Sequence, residues 1–171
     1  MDELAKVPLR IHWAVALLDL APAERVLELG CGPGVAAGLV AERLVKGTIT
    51  AIDRSATAVA RTRLRNADHI ESGRMQVQQV ALADLRTDRR FDKAFGVNVN
   101  VFWTTPAEAE CGVLSDVLVG GGVVHLVYDA PADPGRIITG AAASLSRHGF
   151  SVSTAAGPSR SLVGITGLRR G

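Results

Sequence analysis

Apolar residues recur along this chain with two periods that alternate from one end to the other. Short runs rich in apolar residues, at 25–29, 48–52, 75–81, 93–99 and 123–128, read as strands. Between them lie segments of helical periodicity. A first helix spans 8–20, with Leu9, Trp13, Ala16, Leu17 and Leu20 on its inward face. A second runs over 35–46 and stops at Gly47 in a favourable position just past its end. A third is capped by Ser55 or Thr57 and extends to Asp68. Thr105-Pro106-Ala107-Glu108 combines a capping box with proline at the first helical position, and that helix reaches Leu118 before Gly120-Gly121-Gly122 breaks it. A last helix opens at Asp133-Pro134 and closes near His148-Gly149. Strands and helices in this alternation predict βαβ units and a mainly parallel sheet. Two further strands, 150–155 and 161–168, flank the turn Gly157-Pro158-Ser159 with no helix between them, so they form an antiparallel hairpin.

The first strand runs into Val26-Leu27-Glu28-Leu29-Gly30-Cys31-Gly32-Pro33-Gly34. Three alternating glycines tolerate positive φ and keep side chains out of the way, so the backbone can approach a nucleotide-like ligand where helix N-terminal amides are exposed. Glu28 discriminates among such ligands. A pyrophosphate favours donors and is repelled by a carboxylate two residues ahead of the first glycine, whereas the ammonium and sulfonium of S-adenosylmethionine suit an acidic residue and exposed carbonyls. Gly32-Pro33-Gly34-Val35-Ala36-Ala37 also fits the looser G-x-G-x-x-A dinucleotide fingerprint, which leaves a nucleotide-dependent oxidoreductase as the rival.

The segment resembles motif I of the class I S-adenosylmethionine-dependent methyltransferases, a strand ending in an acidic residue followed by Gly-x-Gly-x-Gly. The resemblance implies a three-layer αβα sandwich around a Rossmann-like, seven-stranded, mainly parallel sheet whose last strand is inserted antiparallel. It extends from the first helix to the terminal hairpin, and motif I and Asp53 are its specific parts. A single domain over residues 1–171, with an N-terminal helix in 1–22 and the core in 23–171, accounts for the length. A second catalytic domain of the kind a typical dehydrogenase carries does not fit.

Ligands of open parallel sheets bind beyond the carboxyl ends of the strands, so four strand ends supply the candidate residues. The first gives Glu28, Gly30, Cys31, Gly32 and Gly34, where Cys31 fills a place that needs a small residue. The second gives Asp53, nineteen residues past Gly34, which is the spacing of an acid that accepts from ribose hydroxyls, and Arg54, whose plane can lie against adenine. At the third, the family often has Gly-Asp-Ala, and this chain reads Val80-Ala81-Leu82-Ala83-Asp84. The usual carboxylate is absent; the backbone of Ala81 and Leu82 and the side chain of Asp84 are the candidates for the adenine edge. At the fourth, Asn98 is the candidate for the methionine part of the cofactor, and Asn100 and Trp103 for the substrate pocket.

Methyl transfer from a sulfonium needs orientation more than a catalytic triad, and the chain offers none. Tyr128 and His12 are the nearest candidates for a base, with Tyr128 also a candidate substrate contact; His125 reads as a core histidine. The substrate side carries no large insertion, which suits a small-molecule acceptor, a pocket completed in a homodimer, or docking on a macromolecule, with the first preferred. A net charge of +2, with arginine clusters at 61–65, 86–90 and 169–170 interrupted by other residues, gives no nucleic-acid footprint. Cys31 and Cys111 match no metal spacing. An acidic start, Met1-Asp2-Glu3, and the lack of a long apolar run predict a cytoplasmic protein away from membranes. Three readings follow: a methyltransferase, a small NAD(P)-binding oxidoreductase, and a non-catalytic S-adenosylmethionine-binding protein.

Overall fold

The computed structural model describes residues 7–130 and 133–171. Seven strands, β1 (Arg25–Leu29), β2 (Thr48–Asp53), β3 (Met75–Gln79), β4 (Phe91–Val97), β5 (Leu118–Asp129), β6 (Phe150–Ala156) and β7 (Leu162–Arg169), form one sheet in the order β3-β2-β1-β4-β5-β7-β6. The first five are parallel. β7 enters antiparallel between β5 and β6, as the missing crossover helix requires. Helices α1 (Leu9–Leu17), α2 (Val35–Arg43), α3 (Ala56–Arg65) and α4 (Ala67–Glu71) precede β4, and α5 (Val101–Thr104), α6 (Glu108–Val117) and α7 (Gly135–Arg147) follow it.

The two groups cover opposite faces. Val15, Leu18, Val40, Ala41 and Val59 from α1, α2 and α3 pack with Val26, Ile49 and Phe95 on one side. Cys111, Leu114, Ala141 and Leu145 from α6 and α7 pack with Leu27, Ile52, Leu126 and Ile165 on the other. Covered on both faces, β1 is buried from Val26 to Leu29, which explains why only Glu28 interrupts its apolar run. Strand order reverses between β1 and β4, and a crevice opens there beyond their carboxyl ends.

Several local expectations are corrected. The first helix is rotated from its expected setting. Ala14, Val15 and Leu18 are buried, Leu9 and Ala16 are exposed, and Trp13 and Leu17 pack to one side against Ala14, Val127 and Leu162. The second helix ends at Arg43, before Gly47, which serves a different purpose. A Cβ there would lie 2.1 Å from the Glu24 carbonyl oxygen, so glycine is required by close passage of two backbone segments. The third helix divides at Asn66, whose φ of −115° interrupts it and whose side chain turns inward. The helix after Pro106 begins at Glu108, because Ala107 adopts a left-handed conformation, φ 49°, in which Thr105 Oγ1 accepts from its N–H. Gly120 to Gly122 belong to β5. They make an irregularity between the Phe91–Leu118 and Lys93–Val123 pairs, with Gly121 at φ 78°.

Candidate functional site

The loop from β1 to α2 turns through three left-handed glycines, Gly30 at φ 63°, Gly32 at φ 53° and Gly34 at φ 79°. Their duties differ. A Cβ on Gly34 would fall 2.7 Å from the Asn66 amide and 2.8 Å from Thr62, so this glycine lets α3 pack on the loop. A Cβ on Gly32 would meet nothing within 4 Å, so this position opens onto free space and the backbone there is bare.

α3 grips the loop from behind. Thr62 Oγ1 donates to the Gly32 carbonyl at 2.8 Å, Arg65 Nε to the Pro33 carbonyl at 3.1 Å, and Asn66 Nδ2 to the Gly34 carbonyl at 3.0 Å. Three successive carbonyls are thus engaged by residues spaced three and four apart on one helix face. Asp53 fastens the loop from the β2 side: its Oδ2 accepts from the Gly32 N–H at 3.0 Å and its Oδ1 from the Ser55 N–H at 2.9 Å. Two bonds leave further lone pairs on this carboxylate for a ligand.

Glu28 is 4% exposed, and its Oε2 is buried with no hydrogen-bond partner. Burial, reinforced by the nearby Asp53 carboxylate, raises its pKa to about 8. An orphaned buried carboxyl beside a bare glycine loop is what a cationic or donor-bearing ligand would complete. Cys31 is buried, with its Sγ 3.4 Å from Thr62 Oγ1, and its thiol is pushed up to about 11 mainly by burial.

A cavity of about 580 Å³ lies over the carboxyl ends of β1, β2 and β4. Gly30, Asp53, Arg54, Ala81, Leu82, Asn98 and Asn100 line it as the sequence suggested, together with Thr104 and Glu110, which the sequence reading did not single out; Glu28, Cys31, Gly32 and Gly34 belong to the adjoining strand and loop and not to the lining itself. Asn98 stands at φ 56°, a conformation asparagine accepts at modest cost, and its Oδ1 accepts from the Asp129 N–H at 2.9 Å. That bond leaves the NH2 group as the part of Asn98 available to a ligand.

Against known proteins, the profile of the methyltransferase-domain family matches residues 26–122, more than half of the chain. The chain belongs to this methyltransferase family. Its matched stretch runs from the strand before the glycine loop into β5 and includes every residue lining the cavity. Among curated relatives, trans-aconitate 2-methyltransferase of Delftia acidovorans is 30% identical over 112 residues, which make up 66% of this chain and 40% of that protein. The chain therefore spans less than half the length of this relative. Among solved structures, an S-adenosylmethionine-dependent O-methyltransferase from Thermotoga maritima superposes with a TM-score of 0.77 at 12% identity, covering 96% of this chain and 66% of the other. Magnesium protoporphyrin IX methyltransferase from Synechocystis, solved with bound S-adenosylmethionine, gives 0.67 at 20% identity, covering 93% and 76%. These likenesses establish the methyltransferase fold.

Other expected residues lie off the cavity lining. Asp84 ends a 3-10 turn, Leu82–Asp84, as an exposed residue off the cavity wall. Trp103 is half-buried against α7, with the Arg136 guanidinium 5.6 Å from its ring centre, and its Nε1 donates to Asn100 Oδ1 at 3.1 Å. It braces a cavity residue and is not itself part of the lining. Tyr128 is 1% exposed, its hydroxyl donates to the Val99 carbonyl at 2.8 Å, and burial holds its pKa well above the ordinary phenol range. A phenol so placed supports the β4 turn from inside. His12 is half-buried on α1 and does not line the cavity. His125 hydrogen-bonds through Nδ1 with Thr166 Oγ1 at 3.0 Å in the sheet interior, and burial lowers its pKa to about 4. Among the described residues no cluster of His, Cys, Asp or Glu has the arrangement of a metal site, and no helix is long and apolar enough to cross a membrane.

Proposed function

We propose that this chain binds S-adenosylmethionine in the cavity over β1, β2 and β4 and transfers its methyl group to a small-molecule acceptor. The observation that carries the reading is the bare glycine loop, open at Gly32 and tied by its amide to the Asp53 carboxylate, following the orphaned Glu28 carboxyl on β1. A group with an ammonium, a ribose diol and no phosphate fits that donor and acceptor set. When bound, the cofactor supplies a methyl group on sulfonium, an already activated leaving group.

What remains for the protein is placement. Glu28 balances the ammonium, Asp53 accepts from the ribose hydroxyls, and Arg54 with the Ala81-Leu82 backbone frames the base. Gly30 and Gly32 allow the chain to pass close without a side chain between. Asn98 and Asn100, at the end of β4, hold the methionine tail and the acceptor so that the nucleophile lies in line with the methyl carbon. Asn100 is oriented for this by Trp103, and α5 is held down by Ser144, whose hydroxyl donates to the Phe102 carbonyl at 2.8 Å. A relative named for trans-aconitate supports a small molecule as the acceptor.

Transfer of labelled methyl groups from S-adenosylmethionine to a panel of small carboxylic acids and phenols tests the reading. Turnover with at least one acceptor, lost in Gly32→Val, is the expected result. Tight cofactor binding without turnover on any panel member would favour the non-catalytic alternative.

A further inference from the structure

The cofactor pocket has no carboxylate after β3, where the family resemblance leads one to look for the acceptor of the adenine amino group. Ala81 and Leu82 line the cavity there, and Asp84, the nearest acid in sequence, is exposed and off its wall. Only two carboxylates line the cavity among the described residues, Asp53 and Glu110. Asp53 already holds the Gly32 and Ser55 amides and sits at the ribose end of β2.

Glu110 comes from a different element. It lies in the first turn of α6 and is half-buried beside Cys111, which is fully buried in the core together with Ala107 and Leu114. The left-handed Ala107, tied by Thr105 Oγ1, sets where that turn begins, and Leu82 packs against the same core cluster. The carboxylate is therefore carried on a helix anchored one residue away, on a wall shared with the Ala81-Leu82 backbone. An adenine edge presents an amino donor beside a ring-nitrogen acceptor. A carboxylate can take only the donor, and it discriminates strongly against a base carrying a carbonyl oxygen at that position.

We propose that Glu110 is the residue that recognises the 6-amino group of the cofactor's adenine, supplying from α6 the carboxylate that the β3 loop lacks. The proposal rests on the binding of S-adenosylmethionine in this cavity. It is tested by the affinities of S-adenosylhomocysteine and S-inosylhomocysteine, in which an oxygen replaces the 6-amino group, for the unaltered protein and for Glu110→Gln and Asp84→Asn. The unaltered protein should prefer the adenosyl compound by about tenfold or more. Glu110→Gln, whose amide can also donate to a carbonyl oxygen, should cut the preference to near unity or reverse it, and Asp84→Asn should keep it. A preference unchanged in Glu110→Gln, or abolished in Asp84→Asn, overturns the assignment. Failure of both ligands to bind the unaltered protein overturns instead the cofactor reading beneath it.

Discussion

Two residues of the glycine loop region, Gly32 and Glu28, were legible from sequence for partly different reasons than the structure supplies. The alternation of glycines announced a close backbone approach, and Gly32 is the position where that approach is open, with φ 53° and nothing within 4 Å of a Cβ. Valine there is strained by its positive φ and fills the space, so Gly32→Val should abolish S-adenosylhomocysteine binding while the far-ultraviolet spectrum stays native. Glu28 was read as a partner for a cation; the structure adds that it is buried and that its Oε2 has no hydrogen-bond partner. Asp53 was read as a ribose acceptor alone, yet its side chain also bonds the Gly32 amide. Asp53→Ala should therefore weaken cofactor binding by about 1–3 kcal/mol, through lost ligand bonds and a loosened loop, as calorimetry would register. Tyr128 and Trp103 show where residue-level reading fails: an aromatic at a strand end looks the same in sequence whether it faces ligand or core, and tertiary packing decides.

Among the elements, α3 carries more of the site than its sequence advertised. Thr62, Arg65 and Asn66 look like ordinary polar positions on a helix after β2, though their spacing puts them on one face. That face holds the carbonyls of Gly32, Pro33 and Gly34. Replacing Asn66 by alanine removes its two buried side-chain bonds, to the Gly34 and Thr62 carbonyls, and leaves Gly34 only the Gly38 amide; this should cost about 1–3 kcal/mol in urea unfolding, with a parallel loss of cofactor affinity. An affinity loss without the stability loss would contradict a supporting role for this helix. The central strands were readable because burial on both faces leaves a mostly apolar signature, β3 because Met75 and Val77 alternate with polar residues, and the hairpin because no helix separates its strands. The helix ends were not. Gly47 and the triple glycine at 120–122 resemble helix stops, and the structure uses one for backbone crowding and the others inside a strand.

For the molecule as a whole, the order β3-β2-β1-β4-β5-β7-β6 gathers the cavity residues of β1, β2 and β4 at the carboxyl end of one sheet, and two buried titratable groups tie its stability to pH. Glu28 is raised from 4.5 to about 8, so the unfolded chain loses its proton first, and stability is lost as pH rises between those values. His125 is lowered from 6.5 to about 4, so its contribution is present above 6.5 and lost as pH falls toward 4. The two offset each other from about pH 4.5 to 6.5, and above that only the loss from Glu28 remains. Denaturant unfolding of the ligand-free protein should show stability falling by roughly 2 kcal/mol between pH 6.5 and 8, and Glu28→Gln should remove the fall. A flat profile in the unaltered protein would mean that Glu28 is ionised in the free state.

Isothermal titration calorimetry of the purified protein with S-adenosylhomocysteine, with NAD as the control ligand, addresses the cofactor assignment directly. Micromolar binding of S-adenosylhomocysteine at one site, with none of NAD, is the predicted result. Binding of NAD alone, or of neither compound, would contradict it.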